Sequence, residues 1–286
     1  MKNLKLAAVC LSCLTMTGCS ALNFSVEGLI NAPKLTSEQS EIHQALIESV
    51  GSNITLKYPK NGEYRSAYVI ANIDDEPTDE AMVFYEYTSN GSEEDGLRVN
   101  ILDKDEDGKW YSVKELAGAG TDIDQVIISP MGSNNQTDVF VGYQNLTNDE
   151  KTMEIYSYTD GDFKRVALDT YSVLEPLDIN NDGYIELITI QRSTNNDTGA
   201  VTAKASMLNM KNNEITRGEN VDMCDNVTSY VSSKTGMLDS GRRAIFIDGL
   251  TADGKLQTEI IYYRYSGLQN PMQLRSEKLL PLCTRP

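Results

Sequence analysis

Between Asp178 and Glu186 the chain sets oxygen-bearing side chains at alternate positions, in the run Asp178-Ile-Asn180-Asn-Asp182-Gly183-Tyr184-Ile-Glu186. Alternate residues of a tight loop point at a common centre, and glycine permits the bend. Calcium takes about six to eight hard oxygen ligands, so such a loop suits that cation. The same residues also suit a hairpin whose Asn and Asp side chains satisfy their own backbone, and both readings stay open. A second acidic run, Asp103-Lys-Asp105-Glu-Asp107-Gly108, lacks a carboxylate further along, where Tyr111 and Lys114 stand. Its flanks read as strands, so it is expected to be a hairpin tip.

Other chemistry is sparse. The single histidine, His43, lies within a helical pattern. No Gly-X-Ser-X-Gly elbow accompanies it, and one histidine cannot build a multi-histidine zinc site. Gly-rich phosphate loops and dinucleotide fingerprints are absent from the sequence. The 42 Asp and Glu residues keep a carboxylate-dependent glycosidase or lyase open as an alternative. Trp110 and tyrosines such as Tyr85, Tyr87, Tyr143, Tyr262, Tyr263 and Tyr265 fall mostly in period-two strands, which favours packing over a binding platform.

The first residues speak of location. Lys2 and Lys5 precede a short apolar run from Leu6 to Thr17, followed by Met16-Thr17-Gly18-Cys19. This is the pattern of a secretory signal, with an apolar stretch too short to span a bilayer. Small residues before a cysteine resemble the lipobox of bacterial lipoproteins, which implies a signal peptide over 1–18 and lipidation at Cys19. Loss of Lys2 and Lys5 would move the net charge from −17 to −19. Such a surface repels nucleic acid and anionic headgroups, so membrane attachment is expected through the Cys19 lipid alone. Of five cysteines, only Cys224 and Cys283 remain in the folded part, where an extracytoplasmic disulfide between them is open to them.

Residues 19–35 read as a lipidated tether, and 36–51 as an N-terminal helix. Thr36 and Gln39 form a capping box, Ile42, Leu46 and Val50 share one face, and Gly51 ends the helix. Residues 52–286 read as strands separated by turns such as Asp107-Gly108, Asp160-Gly161, Asp182-Gly183 and Asp253-Gly254. Four times an apolar strand runs through a polar loop to an acidic residue that opens a second strand. The acidic residues are Glu80, Asp138, Glu186 and Glu259, and the fourth copy is Ala244–Asp248 followed by Glu259–Tyr263. Paired strands lie between these copies, as in Leu97–Leu102 with Trp110–Leu116. Four strands in about fifty residues is the period of a propeller blade. The expected fold is therefore all-β, a propeller-like array of about four to five four-stranded blades. The strand at Ile54–Tyr58 is expected to join the last blade and close the ring.

The third repeat resembles the FG-GAP/VCBS families, whose blades are like those of the integrin α-subunit propeller. That resemblance implies a calcium site built from Asp178, Asn180, Asp182, the Tyr184 carbonyl and Glu186, with Gly183 in the bend. The leading expectation is a non-enzymatic surface lipoprotein whose acidic propeller-like domain binds a protein or glycan partner. The third reading is a structural component of envelope assembly.

Overall fold

The computed structural model describes residues 35–88, 96–130, 137–145, 150–194, 197–211, 214–225, 227–265 and 267–271. Cys19 and Cys283 lie outside them. One helix, α1 (Ser37–Val50), precedes seventeen strands among the described residues. Its start is held reciprocally: the Gln39 N–H donates to Thr36 Oγ1, and the Thr36 N–H donates to Gln39 Oε1, both at 3.1 Å. Gly51 ends it with a positive φ of 85°, where a side chain would be strained. Residues up to Ser40 group with the leading segment, and Glu41 onward forms the second unit.

The strands fall into four antiparallel sheets that follow one another along the chain. The first contains β1 (Ile54–Leu56), β2 (Tyr68–Ala71), β3 (Glu80–Tyr87), β4 (Leu97–Lys104) and β5 (Trp110–Ala117). The second is β6 (Asp122–Pro130), β7 (Thr137–Gln144), β8 (Lys151–Thr159) and β9 (Asp162–Tyr171). The third is β10 (Val173–Leu177), β11 (Glu186–Thr194), β12 (Val201–Lys211) and β13 (Glu214–Asp222). The fourth is β14 (Val227–Met237), β15 (Arg243–Thr251), β16 (Leu256–Arg264) and β17 (Gly267–Gln269). Sheets two to four are plain meanders, each strand paired to the next, because tight turns join only antiparallel neighbours.

Successive sheets share cores, and this explains why their strands read as nearly unbroken apolar runs. In β7, Val139, Val141 and Tyr143 face Met82, Phe84 and Val99 of the first sheet, while Phe140 joins Leu174 and Leu187 of the third. In β11, Leu187 serves that second cluster, while Ile188 and Ile190 pack with Ile245, Ile247 and Ile261 of the fourth sheet. The other face of the first sheet, with Tyr68, Val83 and Tyr85, is covered by Ile42, Ala45 and Leu46 of α1. No helix among the described residues is long and apolar enough to cross a membrane.

Two expectations are corrected. β1 joins the first sheet, with Ile54 opposite Tyr87 and Leu56 opposite Tyr85. The reason is an unpaired edge: β2 covers only Glu80 to Val83 of β3, leaving the stretch to Tyr87 open. β1 fills that stretch, and the Lys57 N–H extends the ladder to the Phe84 carbonyl at 2.8 Å. The fourth repeat is also offset by one strand. Ala244–Asp248 lies in β15 and Glu259 in β16, the second and third strands of their sheet. The first strand, β14, is largely exposed and polar in sequence, so it lacks the apolar signature that marks the other first strands.

Candidate functional site

The Asp178–Glu186 loop connects β10 to β11. Among the described residues, Asp178, Asp182 and Glu186 form the group whose ligand oxygens all lie within 4.8 Å of one another. Asp178 carboxylate oxygens accept from the Asp182 N–H at 3.0 Å and the Gly183 N–H at 3.2 Å. The Tyr184 N–H donates to Asp182 Oδ1 at 2.9 Å, and the Ile179 N–H to Glu186 Oε2 at 2.9 Å. Asn181 and Gly183 take positive φ values of 63° and 95°, which wrap the loop tightly enough for these bonds. The hairpin reading is thus realised in the backbone.

The donor set also fits a hard cation. Three carboxylates crowd together, and the Asn180 amino group bridges Asp182 Oδ2 at 2.9 Å and Glu186 Oε1 at 2.8 Å. Burial chiefly, with the nearby Asp182 and Asp178 charges, raises the Glu186 carboxyl above its ordinary value. A cation there would relieve that repulsion. Tyr184 is 71% exposed, so its ring is not part of the packed loop. One contribution was invisible in the sequence. Arg243 reaches across from the start of β15 and sets Nη1 2.8 Å from Asp178 Oδ2 and 3.0 Å from the Asp178 carbonyl. Arg243 opens the second strand of its sheet, the place that Glu80 and Glu186 hold in theirs.

The first repeat keeps part of the same construction. Glu80 Oε2 accepts from the Ile73 N–H at 2.8 Å, the bond that Glu186 makes with Ile179. Glu80 is 1% exposed, its Oε1 has no partner, and burial with Asp74 and Asp103 nearby pushes its carboxyl up to about 7. The Asp103–Gly108 run is a hairpin tip between β4 and β5. Asp105 Oδ1 accepts there from the N–H groups of Asp107 at 3.0 Å and Lys109 at 2.8 Å.

A second feature is a cavity of about 520 Å³ between sheets. Its wall comes from β6, β10 and β14, the first strands of three sheets, and from residues 61–65, which lead into β2 of the remaining one. Residues 60–61 lie along β6, with the Lys60 N–H bonded to the Ile123 carbonyl at 3.1 Å and the Asn61 N–H to the Asp124 carbonyl at 2.7 Å. Asp124 is 1% exposed, and three donors hold its carboxylate. Lys151 Nζ lies at 2.8 Å and Asn61 Nδ2 at 2.8 Å from Oδ1, and the Tyr171 hydroxyl donates to Oδ2 at 2.7 Å. Glu175 shares the cavity wall and accepts from the Ser233 hydroxyl. Its carboxyl is raised, first by burial and then by the Asp124 charge. The trace of this site in the sequence is faint: two carboxylates, Asp124 and Glu175, set inside otherwise apolar strands.

Most of the remaining singled-out residues serve packing, but Tyr265, expected to pack, is 80% exposed, with the Arg264 guanidinium 4.2 Å from its ring centroid. His43 Nδ1 meets the Tyr68 hydroxyl at 2.8 Å where the helix lies on the first sheet. Trp110 is buried beneath Lys104, whose Nζ stands 4.4 Å from the ring centroid, and Tyr85 and Tyr143 are buried in the cores between layers. Cys224 is a half-buried thiol, pushed up to about 12 by burial and by Glu259, while Cys283 falls outside the described residues. Glu259, expected to open a strand, instead anchors the end of its sheet, accepting from the Cys224 N–H at 2.9 Å and Asn270 Nδ2 at 2.7 Å. Compared with known proteins, the chain matches no protein-family model and no curated protein sequence.

Proposed function

We propose that this chain is an extracytoplasmic binding protein, a lipoprotein held to a bacterial membrane through Cys19, whose acidic β domain engages a protein or glycan partner. The observation that carries this reading is the meeting of equivalent strands. β6, β10 and β14 each begin a sheet, and they border one cavity together with the approach to β2. Blades of a propeller are placed this way, and their shared channel is a customary recognition site. The resemblance of the third repeat to FG-GAP/VCBS blades supports the same arrangement.

In this reading Asp178, Asn180, Asp182, Glu186 and the Tyr184 carbonyl hold calcium as a structural ion. The ion would supply positive charge that ties the β10–β11 loop together, while Arg243 secures Asp178 to the next sheet. Calorimetric titration of the full chain with calcium should give a binding isotherm that Asp182→Ala abolishes; identical isotherms would refute the site. For the partner, the full chain is applied to a glycan array and used as bait against envelope extracts. Empty results in both, beside a measurable hydrolase activity, would overturn the binding reading.

A carboxylate-dependent glycosidase or lyase is the second reading, favoured by Asp124 and Glu175 on one cavity wall. The raised carboxyl of Glu175 would suit a general acid. Against it stands the engagement of Asp124, which already holds Lys151, Asn61 and Tyr171. Glu175→Gln would abolish hydrolysis under this reading.

A further inference from the structure

The cavity holds two kinds of charge. The Asp124 carboxylate is answered within the fold by a direct ion pair with Lys151. Arg65 and Glu175 differ: both line the cavity, and among the described residues neither makes an ion pair. Arg65 stands exposed on the segment that enters β2, and Glu175 lies deeper on β10, held by Ser233. An exposed guanidinium and a half-buried carboxylate on one cavity lining offer two opposite charges to one ligand. We propose that the cavity binds a small zwitterion, a free amino acid or short peptide, with its carboxylate on Arg65 and its ammonium on Glu175.

Several features favour this class. Counting Glu63, Asp124 and Glu175 against Arg65 and Lys151, the charged lining carries one excess negative charge, which disfavours a purely anionic ligand. A neutral ligand would leave both charges unanswered as it displaced their water, a penalty that charge-assisted bonds avoid. β6, β10 and β14 are edge strands of their sheets, and beyond the Ile123 and Asp124 carbonyls, which residues 60–61 occupy, and the Leu174 carbonyl, which Gln125 Nε2 occupies, their outward main-chain groups suit pairing with a peptide backbone. The volume falls within the range of small-ligand sites, roughly 300–1,000 Å³. Burial of Glu175, which raises its carboxyl, also strengthens its attraction for an ammonium group brought into the same low-dielectric space.

The inference goes beyond the macromolecular partner proposed above, and its failure would leave that partner standing, since array and bait report a different ligand. The test is a thermal-shift panel of the twenty free amino acids and a mixed dipeptide set on the full chain, followed by calorimetry with the best binder. Its N-acetylated and C-amidated forms are then titrated. Each cap should weaken binding about tenfold or more, the worth of one charge-assisted contact. In Arg65→Gln the penalty for C-amidation should vanish, and in Glu175→Gln the penalty for N-acetylation should vanish. No binder in the panel, a binder indifferent to both caps, or penalties unchanged in the two variants would each overturn the proposal. The capped ligands on the unaltered chain keep the test decisive if a variant fails to fold.

Discussion

Replacing Glu80 by Gln tests the physical account of the repeat at a deeply buried carboxyl. Glu80 is 1% exposed, its Oε2 takes the Ile73 N–H, and its Oε1 has no partner. Burial, reinforced by Asp74 and Asp103, moves its carboxyl from 4.5 to about 7 despite the opposing Ile73 bond. At about 1.4 kcal/mol per pH unit, that displacement amounts to a penalty of about 3 kcal/mol once the group is ionised. The folded chain binds this proton more tightly than the unfolded chain does. The stabilisation is therefore complete below about pH 4.5, falls as pH rises, and is gone above about pH 7. Gln has nearly the same shape, keeps an acceptor for Ile73 and carries no charge, so its variant should lack this pH dependence. Urea unfolding of both proteins between pH 4 and 9 is the assay. The two should have similar stability near pH 4.5, and Glu80→Gln should gain about 2–3 kcal/mol over the unaltered chain by pH 8. A stability difference that stays constant across the range would refute the reasoning, because it would show that Glu80 ionises without cost.

Lys151→Met should leave the buried Asp124 without its counter-ion and cost about 3 kcal/mol, read as a lower denaturation midpoint; an unchanged midpoint would show that Asn61 and Tyr171 suffice. Gly142→Ala places a Cβ 2.0 Å from the Tyr171 hydroxyl, itself bonded to Asp124, so about 3 kcal/mol or more should be lost, as measured by thermal unfolding. Calcium should raise the melting temperature of the unaltered chain and leave that of Asp182→Ala unmoved, since the ion would neutralise the charge that raises Glu186.

Features governed by near neighbours could be read directly from the order of residues. The Thr36–Gln39 box closes across three positions, and the Asp-Gly turns at Gly108, Gly161, Gly183 and Gly254 all carry the positive φ that glycine alone adopts freely. The oxygen cage from Asp178 to Glu186 spans only nine residues of one loop, so its composition announced its geometry. Apolar runs set off by polar loops and turns similarly revealed most of the strands, because a strand buried on both faces is apolar at nearly every position.

The misreadings arose where a partner is remote. β1 could be placed only by knowing that half of the β3 edge was vacant, and β14 escaped notice because a polar edge strand has no periodic apolar signal. The cavity is more remote still. Lys151 reaches Asp124 across 27 positions, Tyr171 reaches it across 47, and Gln125 bonds the Leu174 carbonyl across 49. Arg243 finds Asp178 across 65. Turns and caps settle within a few residues because their hydrogen bonds close short loops. The meeting of four separate sheets, and the charges it gathers around one cavity, depends on packing whose energy no local stretch of chain contains.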